Sequence, residues 1–516
     1  MSGYVVKKKK ETLKGGNTLH IKKKNLILDK SIHMHKFKGS ECIEDFFENR
    51  FKDTEVLVHF DPDVDGLIAG YFACKALHMK GIKFNWYINS NREHGFFLPI
   101  EKVKGMNIIC VDFLMTKDEI KRLVDAGCNV LSIDHHDNTS NGDNFIEYSY
   151  KDKKGIVINN QYIFEDESGR YQSGAGVVFE SLVTYLGEAF NTRENRALVG
   201  LTLLTDIRNI ENINARLYLQ DLYTHPYKGY IGYLLNNTLG DVDYTFGVPR
   251  LDRNYVDFSF SPIINSCLRF NAQDEVVEFI LGSGVLNKKY HNIQKELTSK
   301  LIEHSRVIQF SNLNIVIIDA AKFKGFEYED CLSSFVGLLA SKYLDGKRSV
   351  IAYLVNGKKV GRASFRGRVN GLDYLSRLVK YVDGVGHGPA FGIRNLKPSK
   401  DLFNSINTEC KLLEESTDFS VDYIKSNNLS MIANSKAYDI GVDNIYCLSQ
   451  NRKYILYTGN NIKEKRSGAK YKEYSIDGVS VLSFDNNLDP RKDFILPIIE
   501  RGILCFYLNK SSEGLL

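Results

Sequence analysis

At 516 residues the chain exceeds what a single hydrophobic core supports, so more than one domain is expected. Its 43% hydrophobic and 25% charged content is ordinary for a soluble globular protein, and no apolar run approaches the length of a transmembrane helix. Nine scattered cysteines without a C-x-x-C pair argue against a disulfide framework or a cysteine zinc site. The N-terminal MSGYVVKKKKETLKG lacks the apolar stretch of a secretory signal, so a cytoplasmic protein without membrane contact is expected.

The net charge of +5 is unevenly placed, because residues 1–24 carry eight lysines against one glutamate and the remainder is slightly acidic. Such an arm can neutralise nucleic-acid phosphates without reading sequence, or can be a solvated tail. Beyond a lead-in ending near residue 50, strand-like and helical patterns alternate. EVLVHF (55–60) reads as a buried strand and GLIAGYFACKALHMKG as the helix after it, ended by Gly81. FNWYIN, MNIICVD and NVLSIDHH read as further strands, with TKDEIKRLVDAG a helix between the last two. This rhythm predicts an α/β fold with a largely parallel sheet, whose ligands bind beyond the carboxyl ends of the strands.

Residues 207–280 read as less regular, and 288–306 as an exposed connecting helix. A second α/β unit is expected over 307–400: strand NLNIVIID, helix CLSSFVGLLASKYLDG, strands SVIAYLVNG and KVGRASFRG, helix GLDYLSRLVKYV, then the glycine-rich DGVGHGPAFGI. Residues 401–516 read as a smaller β-rich domain, and no internal repeat is visible.

Acidic and histidine residues gather at three strand ends: His59, Asp61, Asp63 and Asp65, then Asp112, then Asp134, His135 and His136. Asp206 closes a further helix-like run, RALVGLTLLTDIRN. Carboxylates with imidazoles suit divalent ions such as Mn²⁺, and the donors suffice for two ions sharing a bridging carboxylate. Two ions about 3.5–4 Å apart are a recurring device for hydrolysing phosphoesters. Taken singly, a D-x-D is ordinary on surfaces and a His-His pair is ordinarily a hydrogen-bonded turn; the ordered combination points to chemistry.

DHHD at 134–137, preceded by HFDPDVDG and CVD and followed by LLTDIRN, resembles the four motifs of the DHH phosphoesterases. GRASFRG and GVGHGPAFGI resemble the arginine and Gly-Gly-Gly-His motifs of the DHH-associated C-terminal domain. FSFSPIINSCLRF (258–270) and VGLLASKYL are similar to stretches of RecJ-type single-strand exonucleases. The resemblance covers about residues 55–395 and implies a DHH catalytic domain over 51–287.

The resemblance also implies roles. Asp63 and Asp65 would be metal ligands, Asp112 the bridging carboxylate, and His135 and Asp206 the rest of the second ion's shell. The remaining ligand is open between His59 and Asp61. His136 would contact the scissile phosphate, with Asp134 orienting the histidines. Arg366, Ser364 and His387 would hold substrate phosphate, with Asn265 and Arg269 on the DNA backbone and Gly384, Gly386 and Gly388 admitting close backbone approach. Two departures stand out: Val385 replaces the second glycine, and Ile263 replaces a family arginine.

The implied cofactors are two divalent ions, Mn²⁺ preferred with Mg²⁺ as substitute. The expected partner is single-stranded DNA, hydrolysed to mononucleotides from the 5′ end. RNA, short oligonucleotides or cyclic dinucleotides are the alternative substrates, and a non-catalytic nucleic-acid scaffold is a third reading. Replication or repair proteins would engage the C-terminal domain.

Overall fold

The computed structural model describes residues 19–20, 31–136, 147–162, 171–206, 212–224, 228–239, 256, 260–286, 289–344, 347–368, 372–416, 423–426, 454–467, 472–483, 488–491, 494–500 and 503–509. The lysine-rich arm therefore lies outside the described residues except Leu19–His20, as do Asp137 of DHHD and 207–209 of LLTDIRN. The chain divides into two compact units, one of residues 26–294 and one of 1–25 with 295–516.

The first unit is built on a six-stranded sheet. In chain order its strands are β1 (Glu55–Phe60), β2 (Lys83–Ile88), β3 (Asn107–Val111), β4 (Asn129–Asp134), β5 (Glu147–Tyr150) and β6 (Lys153–Asn159). Their spatial order is β2-β1-β3-β4-β6-β5, parallel except for the β5–β6 pair. Every residue of β3 and β4 is buried, which explains why both read as unbroken apolar runs rather than alternating ones. The order reverses between β1 and β3, where the chain turns first to one side and then to the other. Crevices for ligands form at such switch points, at the carboxyl ends of the strands.

The helices form where the sequence carries start and stop signals. Helix α1 (Val64–Met79) begins at Asp63, whose side chain accepts from Gly66 N–H, and is followed by Gly81 at φ +69°. Helix α2 (Lys117–Asp125) has a capping box between Thr116 and Glu119. Its Ile120, Leu123 and Val124 pack onto Ile108, Cys110, Val130 and Val157 of the sheet. Helices α3 (Gly174–Leu186) and α4 (Arg193–Thr205) follow the sheet, with most of their residues buried.

The stretch 207–280, read as irregular, is helical among its described residues: α5 (Ile213–Thr224), α6 (Gly229–Leu239), α7 (Ser261–Arg269) and α8 (Gln273–Ile280). Its tyrosines and asparagines concealed short amphipathic faces; Leu217, Tyr218, Leu222, Ile264 and Leu268 are all buried. Helix α9 (Lys289–His304) matches the expected connecting helix in length, but it is not exposed all round, since Leu297 and Leu301 are buried.

The second unit contains a six-stranded sheet of β7 (Arg306–Gln309), β8 (Leu313–Asp319), β9 (Ser349–Asn356), β10 (Lys359–Arg366), β11 (Asp383–His387) and β12 (Ala390–Arg394), ordered β11-β12-β10-β9-β8-β7. The glycine-rich DGVGHGPAFGI is thus a hairpin rather than a loop. Gly386 has φ +142°, and a Cβ there would meet the Ala390 carbonyl oxygen at 2.9 Å, so a side chain is excluded on both counts. A short helix, Tyr374–Leu378, and the helix Lys400–Ser416 cover this sheet through Leu378, Phe403, Ile406 and Cys410. The β-rich region then follows as an eight-stranded sheet that includes 423–426, 454–457 and strands between 462 and 509. No helix among the described residues is long and apolar enough to cross a membrane.

Backbone contact between α4 and α5 sets a steric limit. A Cβ at Gly200 would stand 2.4 Å from the Tyr218 carbonyl oxygen, an atom that cannot move without unpacking α5. Gly200→Ala is expected to destabilise the first unit by roughly 1–3 kcal/mol. The urea midpoint of its unfolding reads this, and an unchanged midpoint would contradict the close approach.

Candidate metal centre

The turn from β1 into α1 places Asp61, Asp63 and Asp65 together at the switch point. Gly66 permits it, because a Cβ there would lie 2.5 Å from the Asp61 Cβ. Asp65 is buried and accepts from the N–H groups of Gly174 (2.7 Å) and Ala175 (3.1 Å) at the start of α3. Asp112 follows β3 at φ +65°, a left-handed conformation that aims its carboxylate inward at a backbone cost. Gly174 makes room for it, since a Cβ at that position would fall 1.9 Å from Asp112 Oδ1.

His135 and His136 leave the end of β4. His135 Nε2 is 3.2 Å from Asp112 Oδ1, and its Nδ1 is 3.7 Å from Asp206 Oδ2. Gln161 Nε2 donates to the His135 carbonyl at 3.1 Å, fixing the backbone. His136 Nδ1 is 2.7 Å from Oδ1 of the fully buried Asp134. This contact fixes the imidazole plane and leaves Nε2 for other partners. Among the described residues, three groups have ligand atoms within 4.8 Å of one another: Asp112 with Asp134, His135 and His136; Asp65 with His135 and Asp206; and Asp61 with Asp63 and His94.

The electrostatics are those of a site short of positive charge. Burial raises the pKa of Asp112 well above the usual carboxylate range, and repulsion from Asp65, Asp63, Asp61 and Asp206 adds to it. Asp65 is raised by burial and by Asp206 and Asp63, against the Ala175 N–H. Asp61 is raised by burial, partly offset by His94. Burial opposes a charge on His136, but the Asp134 carboxylate overcomes it and pushes the imidazole up to about 10. Asp61 Oδ1 is buried without a hydrogen-bond partner. Buried carboxylates of this kind are tolerated when paired or coordinated, and the oxygen and imidazole donors fit a divalent cation such as Mn²⁺.

His59 does not join the carboxylates. Its ring packs among Tyr87, Phe96 and Phe113 at centroid distances of 5.0, 5.4 and 4.6 Å, and neither ring nitrogen has a hydrogen-bond partner. Burial pulls its pKa down to about 3, so it is a neutral core imidazole. Of the two residues left open by the sequence, it is Asp61 that stands beside Asp63. Two residues apart, the pair would share one face of a continuing strand; they differ because His59 lies within β1, whereas Asp61 lies just past its end.

Sequence reasoning missed the residues that follow β2. Arg92 Nε donates to the Pro62 carbonyl at 3.0 Å, and Asp63 and Asp61 act on its charge. His94 Nδ1 lies 2.6 Å from Asp61 Oδ2. The available signal is positional: SNREHG follows FNWYIN, a parallel strand whose carboxyl end carries none of the four motifs.

The residues expected to hold phosphate are distributed between the units. In α7, Asn265 Oδ1 is buried without a hydrogen-bond partner, and Arg269 Nη1 donates to Gln294 Oε1 at 2.9 Å. Ile263, at the position of the family arginine, is buried and contributes to packing. In the second unit, Arg366 Nη1 donates to Ser364 Oγ (2.8 Å) and the Phe365 carbonyl (2.7 Å), and its Nε to Ser341 Oγ (3.2 Å). Ser364 is buried, with its Oγ donating to the Phe391 carbonyl at 3.2 Å. His387 belongs to β11, but its side chain and that of Val385 lie outside the described residues.

Loading the site with cation should relieve the carboxylate repulsion. Saturating Mn²⁺, at about 100 times Kd, is expected to stabilise the folded chain by about 2.7 kcal/mol, read as a rise in Tm that EDTA reverses. Gly174→Ala, which intrudes on Asp112, should abolish most of that rise. Equal Mn²⁺ stabilisation of both proteins would contradict the assignment.

Residues 54–204 match the DHH family, N-terminal domain. No curated protein sequence matches the chain. Among solved structures, RecJ in complex with Mn²⁺ from Thermus thermophilus matches with TM-score 0.62 at 17% identity, covering 94% of this chain and 72% of that one. The Mg²⁺ complex from the same organism matches with TM-score 0.56 at 15% identity, covering 95% and 71%. A manganese-bound exonuclease RecJ matches with TM-score 0.51 at 18% identity, covering 75% of this chain and 97% of that one. Residues 54–204 thus match the N-terminal domain of the DHH family, within a fold similar to that of RecJ.

Proposed function

We propose that the chain is a divalent-metal-dependent phosphodiesterase acting as a single-strand-specific DNA exonuclease of RecJ type, releasing mononucleotides from the 5′ end. The observation that carries the hydrolytic reading is the gathering of Asp61, Asp63, Asp65, Asp112, His135 and Asp206 at the sheet's switch point, with carboxylates that repel one another out of water. Bound divalent ions, Mn²⁺ in preference to Mg²⁺, would supply an activated water and stabilise charge on the phosphoryl oxygens. Asp61, Asp63, Asp65, Asp112, His135 and Asp206 would hold two ions, with Asp112 shared between them.

The remaining residues orient the substrate. Asp134 holds His136 so that Nε2 can donate to a non-bridging phosphate oxygen, and Arg366, preset by Ser364, offers its guanidinium to the backbone. Asn265 and Arg269 would contact the DNA backbone, with His387 and Gly386 at the β11–β12 hairpin. The lysine-rich arm would add non-specific affinity for nucleic acid. The polymer is favoured over a cyclic or very short substrate by two features. One is the RecJ-like stretch 258–270, of which Ser261–Arg269 form α7; the other is a shared fold that extends over 94% of the chain.

The test uses a labelled single strand of about 30 nucleotides, its duplex, an RNA copy and cyclic di-AMP, each with Mn²⁺ or EDTA. Mn²⁺-dependent loss of the single-stranded DNA alone, with mononucleotides from the 5′ end, is expected. Asp112→Ala should reduce the rate by roughly 100-fold or more, because it removes the shared ligand. Turnover of cyclic di-AMP while the long strand survives would overturn the substrate assignment. Full activity of Asp112→Ala would overturn the hydrolytic site.

A further inference from the structure

We infer that His94 is a protein ligand of the cation held by Asp61 and Asp63, a coordinating position that none of the four acidic and histidine motifs supplies. The inference rests on the metal-dependent reading above and adds a residue to it. Ligand atoms of Asp61, Asp63 and His94 lie within 4.8 Å of one another, with His94 Nδ1 2.6 Å from Asp61 Oδ2. Asp61 is 1% exposed, and its other oxygen, Oδ1, is buried without a hydrogen bond. One buried carboxylate oxygen thus meets the imidazole while the second has nothing to accept from, which is the state of a ligand awaiting a cation.

The loop that presents His94 is a built structure. The buried Asn89 closes it, with Nδ2 donating to the carbonyls of Glu93 (2.8 Å) and Gly95 (2.7 Å). Asn91 and Arg92 both take positive φ, +55° and +52°, two consecutive strained residues in one short segment. The loop is tied to the start of α8: Asn91 N–H donates to Asn271 Oδ1 at 2.7 Å, and Gln273 Nε2 to the Asn89 carbonyl at 3.3 Å. Backbone strain held in place by several hydrogen bonds marks a side chain whose position matters.

The chemistry of the three donors is consistent with one ion. Arg92 already brings a fixed positive charge to Asp61 and Asp63, so charge balance alone does not call for a further cationic group. An imidazole adds what an arginine cannot, a neutral nitrogen donor for a borderline-hard divalent ion. His94 is 39% exposed, which leaves the open side of such an ion to water or a phosphate oxygen.

The full chain is titrated with Mn²⁺ while the free-ion electron paramagnetic resonance signal is followed, and the nitrogen-14 coupling of bound Mn²⁺ is read by spin-echo modulation. His94→Ala is expected to weaken one class of Mn²⁺ site by about 10-fold or more and to lower the nitrogen modulation. Added imidazole should restore both, and the metal-free Tm should match wild type. Unchanged affinity and modulation would overturn the inference while leaving the metal centre intact. Lower affinity with unchanged nitrogen modulation would also overturn it, since His94 would then act only by orienting Asp61. No Mn²⁺ binding by the wild type would instead remove the metal-dependent reading itself.

Discussion

Mutual repulsion among buried carboxylates is the constraint on which the first unit is organised. Asp61, Asp65, Asp112 and Asp134 are all nearly inaccessible to water, and the first three have pKa values raised by burial. Desolvating an isolated carboxylate costs several kcal/mol, so each is held by a specific device. Asp65 takes two N–H groups at the start of α3, Asp134 pairs with His136, and Asp112 adopts a left-handed backbone beside a glycine. These devices orient the oxygens without neutralising them. A divalent cation at the switch point would complete the balance, and the fold brings suitable donors from the ends of separate strands.

Much of this was legible in the sequence for a physical reason. Parallel strands covered on both faces must be continuous apolar runs, and their carboxyl ends are where polar groups become useful. VLVHF, NIICV and NVLSI therefore announced three strands, and the acidic residues after each announced the site. The choice between His59 and Asp61 needed coordinates, because it turns on where β1 ends: His59 is still in the strand against the aromatic core, and Asp61 is already in the turn. The His94 loop was hidden because its residues have no motif spacing; only the placement of β2 beside β1 brings NSNREHG to the same rim. Helices α5 to α7 were obscured by Tyr and Asn, residues with weak helix propensity that tertiary burial overrides.

The second unit illustrates the opposite case, in which a motif was visible but its conformation was not. GVGHGPAFGI resembled a motif whose glycines admit a close backbone approach, and those glycines lie in a tight hairpin packed against the strand that carries Ser364 and Arg366. Gly388 would place a Cβ 2.8 Å from the Asp373 Cα, and Gly384 one 2.4 Å from Leu375. Packing therefore requires small residues at these positions, and the guanidinium of Arg366 is preset by hydrogen bonds to Ser364, Phe365 and Ser341. A preset fork loses less entropy when it meets a phosphate than a free one.

The central claim is that the carboxylate and imidazole donors at the switch point are a metal centre. Anomalous diffraction from crystals of the full chain grown with Mn²⁺, collected on either side of the manganese absorption edge, tests it most directly. The account predicts anomalous peaks bounded by Asp61, Asp63, Asp65, Asp112, His135 and Asp206. Crystals that show manganese elsewhere on the molecule, but none among these residues, would contradict it.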